Sequence, residues 1–501
     1  MNKKEALKLL KEYEERIAAF NLAFATMGYD QATIAPKKGI LRANELQGVL
    51  SGEYYRVLVD KQYIEAIKYL DQVTLDQITR RKVDIYLKDI KDNEAIGEEL
   101  FTKYSKLANE AFYYWEKARE VNDYQVFEPY LIELIEVKKE MCKLRNEQAE
   151  PYDLLLNDFT EGMGIEAFDQ FFSEIKKELI PLIKKVTSDE NRPNNDAVLG
   201  KFKESKQVKV MKFLTKYLKF DPSWGYMGVS THPFTSGFTT NDVRITTAYD
   251  ESNLQSSIFS VVHEIGHATY EHQVADKYDN TAIKYNISMA IHESQSRLFE
   301  NNLGRSKSFW EFNYPKLQRV FKKELNDVTL DEFISAINYS ECSLIRTEAD
   351  ELTYPIHVLI RYEIEKGIFD GSIDVKDLKE VWNNKYQEYL GISANDDLNG
   401  ILQDSHWSSG AFGYFPSYAL GSAFACQIYN KMAKDLDINE LLRTNKFGQI
   451  NKWLKDNIQK DAALKTPLES LEVCIEDEFN PKYYVEYLKE KFDRWKGKNF
   501  L

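Results

Sequence analysis

Apolar residues recur every three or four positions along most of the chain, with Glu and Lys between them. This spacing places the apolar side chains on one face of a helix, as in amphipathic helices that pack on one another. It predicts helices over residues 2–26, 41–70, 77–121, 124–149 and 164–186. The polar stretch Thr187 to Asn195, which contains Pro193, is the best candidate for a loop or subdomain boundary.

One segment breaks this helical pattern. Residues 221–249 are rich in Gly, Thr, Ser and aromatic side chains, and Val243 to Thr247 has the β-branched content and partial alternation of a strand. We predict a small antiparallel sheet there, just before the next helix. The edge of such a sheet offers unpaired backbone groups to an extended peptide, although a purely structural hairpin fits the pattern equally well.

Composition narrows the class of protein. The chain has 501 residues, is 43% hydrophobic and carries a net charge of −14, which argues against sequence-independent nucleic-acid binding. The four cysteines lie far apart, so the sequence predicts neither a disulfide framework nor a thiolate zinc site, and a reducing compartment fits best. The apolar run from Ile17 to Met27 follows several glutamates, so we expect a helix face rather than a signal core. With no apolar stretch of 18 residues, we expect a cytoplasmic protein that does not enter membranes.

The strongest chemical signal is the sequence His263-Glu264-Ile265-Gly266-His267. On a helix, His263 and His267 stand one turn apart on one face and can bind one metal ion through ring nitrogens. Glu264 points away from that ion and is placed to take a proton from water. Ser252 and Gln255 have the spacing of a capping box, which predicts where this helix begins.

A catalytic zinc ion usually has a third protein ligand. The next predicted helix, Ile287 to Leu303, contains His292 and Glu293, which cannot both face the metal because adjacent helical residues diverge by about 100°. The pattern of two histidines and one glutamate favours Glu293. The alternative for Glu293 is an ion pair with Arg297, one turn later. Glu271, four residues after His267, is a candidate to orient a metal ligand.

The chain resembles the carboxypeptidase Taq family, also called the thermostable carboxypeptidase 1 type, a group of zinc metallocarboxypeptidases. The resemblance covers essentially the whole length and rests on six segments in order: His232–Phe234, Asp242–Thr246, His263–His267, His292–Gln295, Ile345–Asp350 and Gly400–Trp407. One departure lies near the N-terminus, where Tyr29 stands in place of the family's usual Trp.

The resemblance implies a nearly all-α fold, a saddle with a deep active-site cleft similar to neurolysin and angiotensin-converting enzyme. It implies removal of single residues from peptide C-termini, a homodimer, and zinc held by His263, His267 and Glu293, with cobalt or manganese as substitutes. Glu264 would be the general base. We expect residues 1–501 to form a single catalytic unit, with a subdivision into an N-terminal helical part (1–190) and a metal-site part (191–501).

Further residues are candidates for the reaction. The tetrahedral oxyanion needs hydrogen-bond donors besides the metal, and similarity to angiotensin-converting enzyme and neurolysin suggests His406 and Tyr418, with Tyr414 as the substitute. A guanidinium suits the terminal carboxylate of a substrate, and Arg346 is the leading choice. We predict Arg346 on a helix from Ser340 to Tyr354, where an ion pair with Asp350 is the alternative. Arg244 and His232 are candidates for closing the end of the cleft.

Two other functions remain open from the sequence. The first is a zinc endo-oligopeptidase that shares the metal site but cuts internal bonds. The second is an inactive helical protein that binds peptides. The intact metal-binding residues and base argue against the second.

Overall fold

The N-terminal part of the chain is helical, as the apolar spacing predicts. The structure, a computed structural model, describes residues 1–188 and 194–493. Its first seven helices are α1 (Lys3–Thr33), α2 (Ile40–Leu58), α3 (Lys61–Asp71), α4 (Gln77–Val121), α5 (Glu128–Arg145), α6 (Pro151–Phe159) and α7 (Ile165–Thr187). The prediction of one helix over 41–70 is wrong, because the Asp60 side chain accepts a hydrogen bond from the Gln62 amide and starts a new helix there. The other four predicted helices are confirmed, with shifted ends.

Residues 194–493 contain a small sheet and further helices. The strands are β1 (Gly225–Val229), β2 (Thr235–Thr239) and β3 (Asp242–Thr247). The helices are α8 (Glu204–Tyr217), α9 (Leu254–Gln273), α10 (Ala282–Tyr285), α11 (Met289–Arg297), α12 (Lys307–Val320), α13 (Leu330–Ile337), α14 (Tyr354–Asp370), α15 (Leu378–Leu390), α16 (Pro416–Asp435), α17 (Ile438–Arg443), α18 (Phe447–Asn457), α19 (Pro467–Ile475) and α20 (Lys482–Asp493). No helix in the described ranges is both long and apolar enough to cross a membrane.

Buried apolar side chains of the described residues form a large and a small cluster. The small cluster joins α1, α3 and the first half of α4, and the large one includes the second half of α4 and most later helices. Gly97, whose φ of 74° is non-helical, kinks α4 between the two halves. The subdivision expected near residue 190 stays a prediction. The predicted loop there falls largely on residues 189–193, which lie outside the described residues.

The sheet has three strands in the order β1-β3-β2. The expectation of an antiparallel sheet is wrong in part: β2 pairs with β3 antiparallel, but β1 pairs with β3 parallel. The central strand β3 forms a hairpin with β2 on one side. On its other side it runs in the same direction as β1. Alternation along a strand predicts which face is buried but does not identify the neighbouring strand.

Helix α9 carries the His-Glu-x-x-His sequence and packs against β2 and β3. The predicted capping box is wrong. The N-cap is Asn253, and Ser252 instead donates its hydroxyl to Asp250 in the preceding turn. The apolar side chains Ile258, Val262 and Ile265 are buried, as expected of the stripe that faces the core.

Two later helix predictions also need correction. The predicted helix over 287–303 is α11 followed by a π-helix, Leu298–Gly304. The predicted helix from Ser340 to Tyr354 is wrong, because only Arg346–Glu348 form a short 3₁₀ turn and α14 begins at Tyr354. The Asp350 carboxylate accepts hydrogen bonds from the amides of Leu352 and Thr353, so it caps a turn there instead of continuing a helix.

Candidate metal centre

Three side chains from two helices converge on one point. His263 and His267 come from α9 and Glu293 from α11, and one ligand atom of each lies within 4.8 Å of the others. Glu293 Oε2 is 3.9 Å from His263 Nε2 and 3.6 Å from His267 Nε2. In a tetrahedral zinc site with bonds of about 2.0–2.1 Å, ligand atoms lie roughly 3.3 Å apart. The distances between the three groups are therefore close to those that a bound metal ion requires.

Two glycines let the supporting helices approach this point. A Cβ at Gly266, inside the α9 motif, would lie 2.6 Å from the Ser296 Cα of α11. A Cβ at Gly421, on α16, would lie 2.7 Å from the Cβ of Glu293 itself. Both distances are too short for a real contact, so the close packing of α9, α11 and α16 needs glycine at these positions.

A carboxylate from the π-helix orients the first histidine. His263 Nδ1 donates to Glu300 Oε2 over 2.9 Å, which leaves Nε2 unprotonated in the neutral ring and directed at Glu293. Glu300 in turn bonds Arg297 and Arg305. Burial alone would lower the pKa of His263, but the Glu293 and Glu300 carboxylates raise that pKa above its usual value.

The second histidine is oriented through another imidazole. His292 Nε2 donates to Glu271 Oε1 over 2.9 Å, so its Nδ1 can accept from His267 Nδ1, 2.6 Å away. His292 thus lies behind His267, and the structure brings Glu293 rather than His292 to the common point. Glu271 is thus connected to His267 through His292, and the buried Lys284 ammonium lies 3.9 Å from Glu271. Burial lowers the pKa of His267 to about 3, which keeps its ring neutral.

Glu293 uses its two oxygens in different directions. Oε1 accepts from Arg297 Nε over 2.6 Å, and Oε2 faces the two histidines. The ion pair considered as the alternative role for Glu293 therefore exists beside the ligand position. Burial would raise the pKa of Glu293, but Arg297 and His263 hold that pKa well below its usual value. Two imidazoles in their neutral form and one carboxylate are a donor set that suits a divalent metal ion.

Glu264 lies beside this group and is buried. Thr235 of β2 donates its hydroxyl to Glu264 Oε2 over 2.6 Å and fixes the carboxylate from the side of the sheet. Burial raises the pKa of Glu264 above its usual value, although His263 and the Thr235 hydrogen bond oppose the shift. A carboxylate with a raised pKa is better suited to hold a proton during a reaction.

His406, Tyr414 and Tyr418 form an aromatic cluster. The His406 ring centroid is 5.1 Å from that of Tyr414, and His406 Nε2 lies 3.4 Å from the Tyr418 hydroxyl. Tyr418 is three residues before Gly421 on α16, so it shares the helix face that packs on Glu293. Burial lowers the pKa of His406 to about 4 and raises that of Tyr414 to about 12, so both are neutral at pH 7. Their predicted roles stay predictions.

Arg346 is buried rather than free. Its guanidinium donates to Asp404 Oδ1 (2.8 Å from Nη2) and to the Tyr354 hydroxyl (3.2 Å from Nη1), so its partner is not Asp350. The Tyr354 ring also lies under Arg297, with 4.3 Å between the guanidinium carbon and the ring centroid. Arg346 is thereby linked to the metal centre through Tyr354 and Arg297. Its predicted role in binding a substrate carboxylate stays a prediction.

The other two candidates lie on or near the sheet. Arg244 of β3 pairs with Asp242 over 2.8 Å and stacks on Phe238, and its side chain is 32% exposed, against 7% for Arg346. His232 is exposed in the connection between β1 and β2. Tyr29 contacts Phe234 and Phe238 and donates to the Ile245 carbonyl, so it joins α1 to the sheet.

Sequence reasoning missed three residues that orient this site. Thr235 holds Glu264, Glu300 holds His263, and Asp404 holds Arg346. The sequence gives a weak indication for Glu300, since it lies seven residues, or two helical turns, after Glu293 and therefore on the same helix face. Thr235 and Asp404 come from distant segments, and their partners are visible only in the fold.

Comparison with known proteins agrees with this geometry. The profile of the family described as carboxypeptidase Taq (M32) metallopeptidase matches residues 9–492. A protein of Bacillus subtilis named carboxypeptidase 1 is 39% identical over 492 residues, which cover 98% of this chain and 97% of that protein. A thermostable carboxypeptidase 1 of Thermus thermophilus is 30% identical, with coverage of 98% and 99%. A solved structure of Pyrococcus furiosus carboxypeptidase is 32% identical with a TM-score of 0.94, and covers 98% of this chain and 99% of its own.

Proposed function

Because this chain belongs to the carboxypeptidase Taq (M32) family and is a metallocarboxypeptidase, we propose that zinc, held by His263, His267 and Glu293, is its cofactor. The convergence of these three side chains, with Glu264 beside them, is the observation that carries the proposal. Two imidazoles and one carboxylate are the ligand set of several zinc peptidases, and cobalt or manganese are the alternatives. When bound, such an ion polarises a carbonyl group and makes water more acidic.

Glu264 is the proposed general base. Its carboxylate takes a proton from the attacking water and later delivers a proton to the leaving amine. Three features support this role: the position next to His263, the raised pKa, and the hydrogen bond from Thr235 that fixes the carboxylate. A carboxylate fixed in this way loses little orientation entropy when the substrate binds.

His406 and Tyr418 are the proposed donors to the oxyanion. Burial lowers the pKa of His406 and raises the pKa of Tyr418, so both are neutral at pH 7, and they form one cluster at the α16 face that packs on Glu293. Donors held in place before the reaction can stabilise developing negative charge without reorganising. Tyr414, which packs on both residues, is the substitute for Tyr418.

Arg346 is the proposed partner of the terminal carboxylate of the substrate, and Arg244 and His232 are proposed to close the end of the cleft. A guanidinium binds a carboxylate with two parallel hydrogen bonds. The greater exposure of Arg244 supports it as a contact for an incoming peptide, with His232 nearby. Arg346 is linked to the metal centre through Tyr354, which supports a contact nearer the scissile bond.

We further propose that residues 1–501 act as a single catalytic unit, with the subdivision near residue 190, and that the protein is a cytoplasmic homodimer. The four cysteines, which form no disulfide in the described part of the chain, support a reducing compartment. Light scattering of the purified protein tests the homodimer directly.

A pair of peptides tests release from the C-terminus against internal cleavage. The two peptides share one sequence, and one ends in a free carboxylate while the other is amidated. We expect stepwise loss of single residues from the free acid and little cleavage of the amide. Mass spectrometry of samples taken at successive times measures both. Internal cleavage of both peptides would instead identify an endo-oligopeptidase. Absence of hydrolysis after addition of zinc to chelated protein would indicate a peptide-binding protein.

A further inference from the structure

Helix α14 is hydrogen-bonded to the segment that carries His406, one of the residues of the proposed reaction. The segment runs from Gln403 to Gly413, contains His406 and leads directly into Tyr414. Glu365, on α14, is fully buried, and its Oε1 accepts from Trp407 Nε1 over 2.7 Å. Its Oε2 accepts from the Gly413 amide over 2.8 Å. One carboxylate is therefore bonded to the residue after His406 and to the residue before Tyr414.

The same helix holds the start of the segment through a positive charge. Arg361 lies one turn before Glu365, and its guanidinium binds Asp404 Oδ2 over 2.6 Å and Gln403 Oε1 over 2.9 Å. Arg361 and Glu365 share one face of α14 because they are four residues apart. The segment is thus attached to one rigid helix at both of its ends.

A third hydrogen bond to Glu365 connects this arrangement to α6. The Tyr152 hydroxyl donates to Glu365 Oε2 over 2.8 Å. Next to it, a Cβ on Gly413 would lie 2.6 Å from the Leu155 carbonyl carbon of α6, and Gly413 has a φ of +86°. The main chain before Tyr414 therefore packs directly on α6 and has little room to shift.

The His406 ring has few polar contacts of its own. Its Nε2 lies 3.4 Å from the Tyr418 hydroxyl, and its Nδ1 is buried without a hydrogen-bond partner among the described residues. The Phe415 ring packs at a centroid distance of 4.3 Å. The position of the His406 ring is consequently set by the main chain of the segment and by aromatic packing.

From this geometry we propose that Glu365 is a positioning residue for catalysis, which fixes His406 and Tyr414 by fastening Trp407 and Gly413 to α14. The inference rests on the proposed role of His406 in the reaction. All three donors to Glu365 are neutral, so the charge of this buried carboxylate is not cancelled by a direct ion pair. Burial raises the pKa of Glu365 to about 7, which agrees with an environment that disfavours its charge. A buried carboxylate without an ion-pair partner does not stabilise the fold. The presence of Glu365 is therefore better explained by the positions that it imposes on Trp407 and Gly413.

The first experiment compares two substitutions on the same helix. Glu365→Gln keeps the shape but replaces one acceptor oxygen by a donor, so the bond to Trp407 or to Gly413 is lost. We expect kcat to fall about 10- to 100-fold with little change in KM or metal content, because catalytic groups are displaced while substrate contacts remain. The control is Glu363→Gln, two residues away, whose carboxylate binds Lys385 and Tyr389 instead. The control should keep the wild-type kcat.

A mutant cycle separates this inference from the proposed function. If Glu365 acts through His406 and Tyr414, then Glu365→Gln should cost less than about threefold in kcat in a background that already carries His406→Gln and Tyr414→Phe. An equal loss in both backgrounds, or a wild-type kcat for Glu365→Gln alone, overturns the positioning role. If His406→Gln by itself keeps the wild-type kcat, the proposed role of His406 fails, and the inference fails with it.

Trp407→Phe provides a second test in case Glu365→Gln does not fold. It removes only the indole N–H that bonds Glu365 and keeps an aromatic ring against Trp382. The same fall in kcat, at unchanged KM and metal content, supports the proposal. A kcat equal to that of the wild type contradicts it.

Discussion

At the scale of single residues, the site consists of charged groups that each have a specific partner. Glu293 divides its two oxygens between Arg297 and the histidines, and Glu300 bonds both His263 and Arg297. Such partners fix the orientation and protonation of each proposed ligand before a metal ion binds. Glu264 differs, because its carboxylate is held by the neutral hydroxyl of Thr235. It is therefore able to gain and lose a proton.

Substitution of Glu264 by Gln tests this distinction. We expect turnover to fall about 100- to 10,000-fold, since an amide cannot take a proton from water. Metal content should stay that of the wild type, because Glu264 is not among the three converging ligand groups. Steady-state kinetics and metal analysis on the same sample give both quantities. Near-normal turnover would remove Glu264 from the mechanism.

At the scale of elements, close helix packing places the proposed third ligand. Helices α9 and α16 both pack on α11, and each has a glycine at the contact. The π-helix after α11 then brings Glu300 to within 2.9 Å of His263. Wide turns of this kind interrupt the regular spacing of an α-helix and are frequent at functional sites.

Substitution of Gly421 by Ala tests the packing of α16 on α11. Alanine favours helices more than glycine does, so a neutral site would gain about 1 kcal/mol of stability. Here the added methyl group would meet Glu293, and we expect a loss of about 1–3 kcal/mol and weaker metal binding. Gly448→Ala is the matched control, because its added Cβ would lie 3.9 Å from the nearest side-chain atom. Equal urea midpoints and metal affinities for both variants would contradict the packing argument.

At the scale of the whole molecule, the metal centre joins separate parts of the chain. Its three proposed ligands come from α9 and α11, while α16 packs on α11 and the sheet packs on α9. An ion that binds the folded state but not the unfolded chain stabilises the whole fold by mass action.

Removal of the metal should therefore lower the thermal stability. At a free zinc concentration about 1,000 times Kd, binding contributes about 4 kcal/mol, so chelation should lower Tm by several degrees. Calorimetry with a chelator and then with added zinc measures the shift. The His263→Ala variant is the control and should respond far less to zinc. An unchanged Tm for the wild-type protein on chelation would argue against the proposed ligands.

The sequence by itself determined the helical class, the family and the shared helix face of His263 and His267, because these follow from residue spacing and from motifs in order along the chain. It favoured Glu293 as their partner, but the packing of α11 on α9 is what brings Glu293 rather than His292 to the two histidines. Apolar residues three or four apart define a helix face, and two histidines four apart define a common ligand direction. Only the tertiary structure decided the mixed sheet, the non-helical surroundings of Arg346, and the partners Thr235, Glu300 and Asp404. Strand order and hydrogen bonds between distant segments depend on which elements pack together, and residue spacing along one segment carries no record of that packing.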